Sequence, residues 1–441
     1  MDIFVSHSDD SNLSIMNTLV IVIFAIGYLA IALEHTIKIN KTAFALIVGV
    51  LCWTIYILLG ENASIIHAEL SKHLGSISEI LFFLLGAMII VELIDANHGF
   101  YFITKRITTQ HGKLLLWIIS ILTFVLSAIL DNLTSSIVMV SLLRKLVKNR
   151  VQRRLFACIV IIAANAGGAW TPIGDVTTTM LWIGGHISAI YTVKTILIPS
   201  IVSLVVPLLY LSTRMKDKLD IKTPVVKTGQ DNIPKEGCKI MLFFGVGCLL
   251  FVPVFKTVTH LPPYMGMLLS LGIMWFVSEI IHINKCEADR KPYTVVHALT
   301  KIDSSSVLFF LGILVAIGAL ESMHLLDDLA HWMNDTITDL RVIVVVIGLA
   351  SALIDNVPLV AATMGMYDLV NYPPDHLLWN FLTYCAGTGG SVLIIGSAAG
   401  VAIMGMEGID FMWYLKKISF IALIGYFSGV VAYLFQSMII S

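Results

Sequence analysis

Two Asp-Asn pairs stand in the middle of otherwise apolar stretches, Asp131-Asn132 within 114–143 and Asp355-Asn356 within 341–370. A carboxylate beside an amide carbonyl offers the hard oxygen donors that a small cation prefers. A third acid closes the run Asn165-Ala166-Gly167-Gly168-Ala169-Trp170-Thr171-Pro172-Ile173-Gly174-Asp175. Its adjacent glycines, Pro172 and Gly174 predict that this run is not a continuous helix. A partner run, Ala386-Gly387-Thr388-Gly389-Gly390-Ser391 followed by Gly396-Ser397, predicts a second break. Unwound carbonyls and the hydroxyls of Thr171, Thr388, Ser391 and Ser397 then join Asp131, Asn132, Asp175, Asp355 and Asn356 as candidate cation ligands. Each residue also has a plainer role. Asp131 and Asp355 cap short helices well, the two asparagines form turns, and the glycines let helices pack closely. Asp175, with Ser397 at the corresponding place, is read as a third ligand, a proton carrier or the cap of a helix restarting at Val176. Thr177-Thr178-Thr179 add hydroxyls there, unless these bond within that helix.

The elements that hold these residues follow from composition. Of 441 residues, 57% are hydrophobic and only 13% charged, against roughly 45–50% and about 25% in ordinary globular proteins. Mean hydropathy is +0.89. With 28 basic and 29 acidic side chains over this length, a soluble surface cannot be covered. The chain is therefore expected to be an all-α polytopic membrane protein, with the lipid bilayer as its main partner. A net charge of −1 excludes nucleic acid, for which no basic footprint exists. The six cysteines show no metal-ligand spacing, and no cofactor is expected. Met1 to Ser14 contains three Asp and no Lys or Arg, so a signal peptide's basic start is missing. The histidines, mostly at loops, are weak candidates for pH sensing. Glu34, Glu92, Asp95, Glu279 and Glu321 read as interfacial charges.

Spanning helices need about 20 apolar residues. The segments 16–33, 42–59, 76–95, 153–185, 187–212, 240–257, 262–281, 305–322, 377–406 and 414–438 qualify, with 153–185 and 377–406 broken. Basic residues orient them. Lys105, Arg106 and Lys113 precede 114–143, and Arg144-Lys145 to Arg153-Arg154 follow it. Both of its ends are then cytoplasmic, making it a re-entrant hairpin, with 341–370 as a second hairpin entering from the opposite side. Ten crossings put both termini outside and 24 of the 28 Lys and Arg in the cytoplasm. The polar stretch 213–239 is a cytoplasmic linker between 1–212 and 240–441, and the acidic segment 322–340 an external interfacial helix.

The two halves repeat. Ser127-Ala128-Ile129-Leu130-Asp131-Asn132 recurs as Ser351-Ala352-Leu353-Ile354-Asp355-Asn356, 224 residues on. Leu81-Phe82-Phe83-Leu84 recurs as Leu308-Phe309-Phe310-Leu311, and Gly167-Gly168 with Gly174 as Gly389-Gly390 with Gly396. Five crossings per half make the second copy inverted. Inverted repeats with broken helices belong to secondary transporters, whose substrate site lies where the breaks meet.

Ser127 to Leu133 with Thr134, Asn165 to Thr177, Ser351 to Ala361 and Gly387 to Gly400 resemble the ion transporter superfamily, and within it the NhaD-type sodium/proton antiporters. The resemblance covers most of the chain. It implies a bacterial inner-membrane protein, a homodimer with a moving transport domain, exchanging Na⁺ or Li⁺ for H⁺. It adds Thr134 to the candidate ligands, with Pro358 in the corresponding place of the second tip. Dicarboxylate carriers of the superfamily carry serine where this chain has Asp131 and Asp355. Two carboxylates would repel a dicarboxylate in low dielectric and attract Na⁺. Burial raises a carboxyl pKa, by up to ~3–5 units in extreme cases, so protons compete with the cation and an alkaline optimum follows. The chain is thus expected not to be an enzyme. The competing readings are an anion carrier (dicarboxylate or arsenite) of the same superfamily, a passive channel, and an intramembrane aspartyl protease using two acids. The last needs Gly-x-Gly-Asp, where this chain has Pro172-Ile173-Gly174-Asp175.

Overall fold

Apolar runs separated by short polar connections fold as helices, because a backbone away from water must satisfy its own hydrogen bonds. The computed structural model describes residues 3–60, 62–100, 109, 111–147, 149–214, 235–283, 286–337, 339–353 and 355–440. In chain order the principal helices are α1 (Ile3–Ala32), α2 (Lys41–Leu59), α3 (Ala63–Ala96), α4 (Gly112–Leu130), α5 (Asn132–Leu146), α6 (Arg150–Ala169), α7 (Val176–Ile183), α8 (Ala189–Arg214), α9 (Lys235–Thr259), α10 (Pro263–Ile281), α11 (Ser304–Ser322), α12 (Leu325–Thr336), α13 (Leu340–Ala350), α14 (Asn356–Met366), α15 (Leu377–Gly389), α16 (Ala398–Glu407) and α17 (Phe420–Ile440). Among the described residues, nine helices are long and apolar enough to cross a membrane. Large apolar side chains such as Leu58 and Val258 stay more than 70% exposed, as lipid-facing residues must. The protein is an all-helical, polytopic membrane protein.

Eight of the ten expected spans coincide with uninterrupted helical segments, and 153–185 and 377–406 are interrupted as expected. Three details differ from the sequence reading. The 34-residue α3 begins well before position 76 and at 1.5 Å per residue exceeds the hydrocarbon thickness. Helix α4, the first arm of the expected hairpin, is itself long enough to cross a membrane. The first break is narrower than Asn165–Asp175: α6 runs through Asn165 and both glycines to Ala169, and only Trp170 to Asp175 leave the helix. Most of the linker 213–239, and the basic residues Lys105 and Arg106, lie outside the described residues.

Two compact units divide the chain, and each draws on both halves of the sequence. The first comprises 1–82, 303–343 and 357–373. In it α2 and α11 touch through Gly49 and Gly312, where a Cβ on Gly49 would lie 2.6 Å from the Gly312 carbonyl oxygen. The Trp53 indole N–H donates to the Val315 carbonyl at 2.8 Å beside this contact. Helix α12 occupies much of the acidic segment 322–340 and buries Leu326 and Ala330 while Leu329 and Trp332 stay exposed. The second unit comprises 83–302, 344–356 and 374–441 and holds every break and both Asp-Asn tips. Its long helix α17 is tied to α15 by Tyr384, whose hydroxyl donates to the Tyr426 carbonyl at 2.8 Å.

Candidate functional site

Four helices, α5, α7, α14 and α16, begin at the site, and α5, α7 and α16 are each capped by a side chain from the sequence-predicted set. Asp131 caps α5, its Oδ1 accepting from the Thr134 backbone N–H at 2.7 Å and its Oδ2 from the Thr134 hydroxyl at 2.8 Å. Asp175 caps α7, its Oδ1 accepting from Thr177 N–H at 3.0 Å and from the Thr177 hydroxyl at 2.9 Å. Ser397 caps α16, accepting from Gly400 N–H at 3.2 Å. The first four N–H groups of a helix have no partner within it, so an oxygen there is held firmly. Helices α4, α6 and α15 end at the same place, so their negative ends balance the positive helix starts.

The tip at Asp131 is sharper than the sequence suggested. Asn132, whose plainer role was to form the turn, is the first residue of α5. Asp131 itself adopts φ 109° and ψ 161°, a region that costs an L-residue of order 1–3 kcal/mol. The two hydrogen bonds from Thr134 hold it there.

A buried network joins the caps. The Asn132 amide donates to Asp175 Oδ2 at 2.6 Å and to Asn165 Oδ1 at 3.2 Å. The Asn165 amide donates to the hydroxyls of Ser391 and Ser397, both at 2.9 Å. From the second tip, the Asn356 amide reaches Asp175 Oδ1 at 3.5 Å. Asp175 is 2% exposed and sits at the centre of this arrangement. An asparagine amide has two protons, and those of Asn132 and Asn165 are all engaged. What these groups can still offer is oxygen: the Asn132 carbonyl, a lone pair on the Ser391 hydroxyl and the Asp175 carboxylate. That donor set suits a small hard cation.

Of the predicted residues, the network gathers Asn132, Asp175, Asn356, Ser391 and Ser397. Asp131 and Thr134 pair with each other next to it. Asp355 lies at the second tip, partly exposed. Thr171 instead pins the first break to the end of α4, donating to the Ala128 carbonyl at 2.6 Å, and Thr388 bonds back to the Tyr384 carbonyl at 2.6 Å inside α15. Sequence reasoning missed Asn165. It is the one amide in the run Phe156–Ala169, all of which is buried, and a lone polar group in such a run needs a partner.

Of the two roles read for the glycines, breaking the helix and close packing, Gly167 and Gly389 take the second. Gly167 and Gly389 are helical, and a Cβ on either would collide with a backbone carbonyl of a neighbouring helix, that of Phe124 for Gly167 and that of Gly348 for Gly389. They admit close packing and do not break the helix. Beside each, a serine ties the same pair of helices, Ser127 to the Ala164 carbonyl at 2.5 Å and Ser351 to the Ala386 carbonyl at 3.1 Å.

A family model described as citrate transporter matches residues 19–383, most of the chain. The chain is 48% identical over 412 residues to sodium/proton antiporter 1 of Arabidopsis thaliana, covering 93% of this chain and 71% of that protein. It is 47% identical over 414 residues to sodium/proton antiporter 2 of the same plant, covering 93% and 98%. The Na⁺/H⁺ antiporter NhaD of Vibrio cholerae serotype O1 is 30% identical over 465 residues, covering 94% and 90%. The chain belongs to the NhaD-type antiporter family.

The citrate transporter match ends before the second break, whose shape in this NhaD-type chain depends on a residue further on. The hydroxyl of the fully buried Tyr414 donates to the Ser391 carbonyl at 2.8 Å, and a π-helical turn, Leu415–Ser419, follows directly. Tyr414→Phe leaves that carbonyl without its donor, a cost of about 1–3 kcal/mol when buried. The expected result is a lower unfolding temperature and a several-fold weaker apparent affinity for the transported ion, with Ser391 no longer held towards Asn165. Unchanged ion dependence of transport would show that the Ser391 carbonyl is not held by this bond alone.

Proposed function

We propose that the chain exchanges Na⁺ or Li⁺ for H⁺, with cation and proton competing for Asp175 and for the tip acids Asp131 and Asp355. The observation that carries this reading is the buried Asp175 carboxylate, met by the amides of Asn132 and Asn356 from the two tips. A site emptied of both cation and proton keeps its charge and does not cross the bilayer, because an unpaired buried charge is costly. Exchange follows from that rule. The names of the relatives, sodium/proton antiporters from a plant and a bacterium, support the same ion pair.

In this reading the chain consists of two inverted repeats, 1–212 and 240–441, each with five crossings and one re-entrant hairpin, and a moving transport domain gives alternating access. The recurrence of the Gly167 and Ser127 contacts at Gly389 and Ser351 supports the repeat. The concentration of Lys and Arg in the loops assigned to the cytoplasm supports termini outside and a basic cytoplasmic face.

An anion carrier is the second reading, favoured by the family's description as citrate transporter and by four helix starts at one place. Asp131 and Asp175 weigh against it. They occupy the backbone donors that an anion would use.

The test uses inside-out vesicles acidified by respiration, a fluorescent ΔpH probe, and chloride salts of Na⁺, Li⁺, K⁺ and choline. Dequenching by Na⁺ or Li⁺ that vanishes in the double variant Asp131→Asn, Asp355→Asn is the expected result. Because cation binding displaces a proton, the Na⁺ concentration giving half-maximal response should rise about tenfold for each pH unit lost below the range where the site is deprotonated. Above that range it levels off. A half-maximal concentration independent of pH would remove competition from the mechanism, and no response to any cation would turn attention to anions.

A further inference from the structure

The ends of α5, α6 and α16 remote from the ion site meet at one carboxylate. Glu407, the last residue of α16, has a fully buried side chain that accepts from Arg144 Nε through Oε1 and from Arg153 Nε through Oε2, both at 2.8 Å. Arg144 also donates to the Met406 carbonyl. Arg150 and Arg154 reach the Glu407 carbonyl at 3.3 and 3.4 Å, and Arg154 reaches the Gly408 carbonyl at 2.6 Å. Gly408 closes the helix in the left-handed conformation, with φ 58°. Cations at a helix C-terminus satisfy its last carbonyls and oppose its dipole. Another short helix of the site is treated alike: Lys256 of α9 donates to the Trp182 carbonyl at 2.9 Å, in the last turn of α7.

These anchors matter because of where the same helices lead. Arg144 sits on α5, which begins at Asp131 and Asn132. Arg153 sits on α6, which carries Asn165. Glu407 ends α16, which Ser397 begins. At 1.5 Å per residue each arm is about 15–20 Å long. The three helices are thus joined at both ends, by Glu407 at one and by the Asn132–Asn165–Ser397 hydrogen bonds at the other. The ten-residue α16 is the shortest arm. Two arginines holding one buried carboxylate through separate oxygens fix both its rotation and its height, which a single pair could not.

We propose that Glu407 is a positioning residue for the ion site: held by Arg144 and Arg153, it sets the register of α16 so that Ser397 meets the Asn165 amide and keeps that amide in place beside Asn132 at the ion site. A buried ion pair adds little stability over an apolar replacement, and its attested use is to specify register. The proposal rests on the cation-exchange reading of the site.

The test is a double-variant cycle in the vesicle assay. In wild-type vesicles that respond to Na⁺, Glu407→Gln raises the half-maximal Na⁺ concentration about tenfold and leaves the maximal rate within about twofold, the pattern of weakened ion binding. Ser397→Ala alone raises it comparably. If Glu407 acts through Ser397, the pair together are no worse than Ser397→Ala alone, which is a strong coupling by the standards of such cycles. Should Glu407→Gln fail to accumulate, Arg153→Lys takes its place in the same cycle, since it keeps the charge and loses the planar fork. Additive effects, an unchanged half-maximal concentration, or a fall in maximal rate alone would each overturn the assignment. A wild type that responds to no cation would overturn the reading beneath it, and both would fall together.

Discussion

Asp175→Asn is expected to abolish ion exchange, lowering the Na⁺-dependent rate by at least about 100-fold, or roughly 2.7 kcal/mol. Asp175 Oδ1 accepts from the Thr177 N–H and hydroxyl, and Oδ2 accepts from the Asn132 amide. An asparagine here has one oxygen for two sets of donors. Whichever way it turns, its NH₂ faces another N–H. Hydrogen bonds to a charged group are worth about 1.5–3 kcal/mol each, and the negative charge that draws the cation is gone as well. Dequenching of the ΔpH probe by Na⁺ and Li⁺ measures the loss, with folded protein verified by size-exclusion in detergent. A variant that keeps a tenth of the wild-type response would place the essential charge at Asp131 or Asp355 instead.

Gly389→Ala is expected to have the largest effect on folding. Its Cβ would collide with the Gly348 carbonyl oxygen and lie 2.7 Å from the Ser351 hydroxyl. Gly348 cannot retreat easily, because a Cβ built on it would already lie 2.6 Å from Cys385 Cβ. Overpacking against side chains costs about 1–3 kcal/mol, and here the obstacle is backbone, so the loss should exceed that range. Gly405→Ala is the control. No atom lies within 4 Å of its added methyl, and alanine gains roughly 0.5–1 kcal/mol over glycine inside a helix. Thermal unfolding in detergent should show Gly389→Ala strongly destabilised or absent and Gly405→Ala unchanged or improved. Equal unfolding temperatures would mean that the α13–α15 contact is looser than drawn.

The spans were legible because length and hydropathy act over twenty residues at a time, and small local errors do not disturb them. The acids were legible for a related reason: a carboxylate inside an apolar run is costly enough to stand out. What sequence could not give was the division of labour between neighbours. Asp131, not Asn132, turns the tip, because its two oxygens can take both donors of Thr134. The glycines at 167 and 389 serve contacts with helices far away in sequence, which periodicity does not register. Asn165 escaped notice since an amide next to two glycines reads as part of a break. Glu407 lay one residue beyond the expected span 377–406. Its arginine partners served only to orient the chain, where their number mattered and their geometry did not.

Asn165 has one more consequence. The position 222 residues on is Gly387, which has no side chain to offer, and a Cβ there would already lie 3.0 Å from that of Ala169. The first half supplies an amide that crosses to the serines of the second, and the second supplies a glycine where Ala169 passes. An asparagine at both positions would crowd Ala169, and a glycine at both would leave Ser391 and Ser397 without the Asn165 donor. At this position the two halves are not interchangeable. They now need each other as unlike parts, so a half expressed alone could not restore the network by pairing with itself.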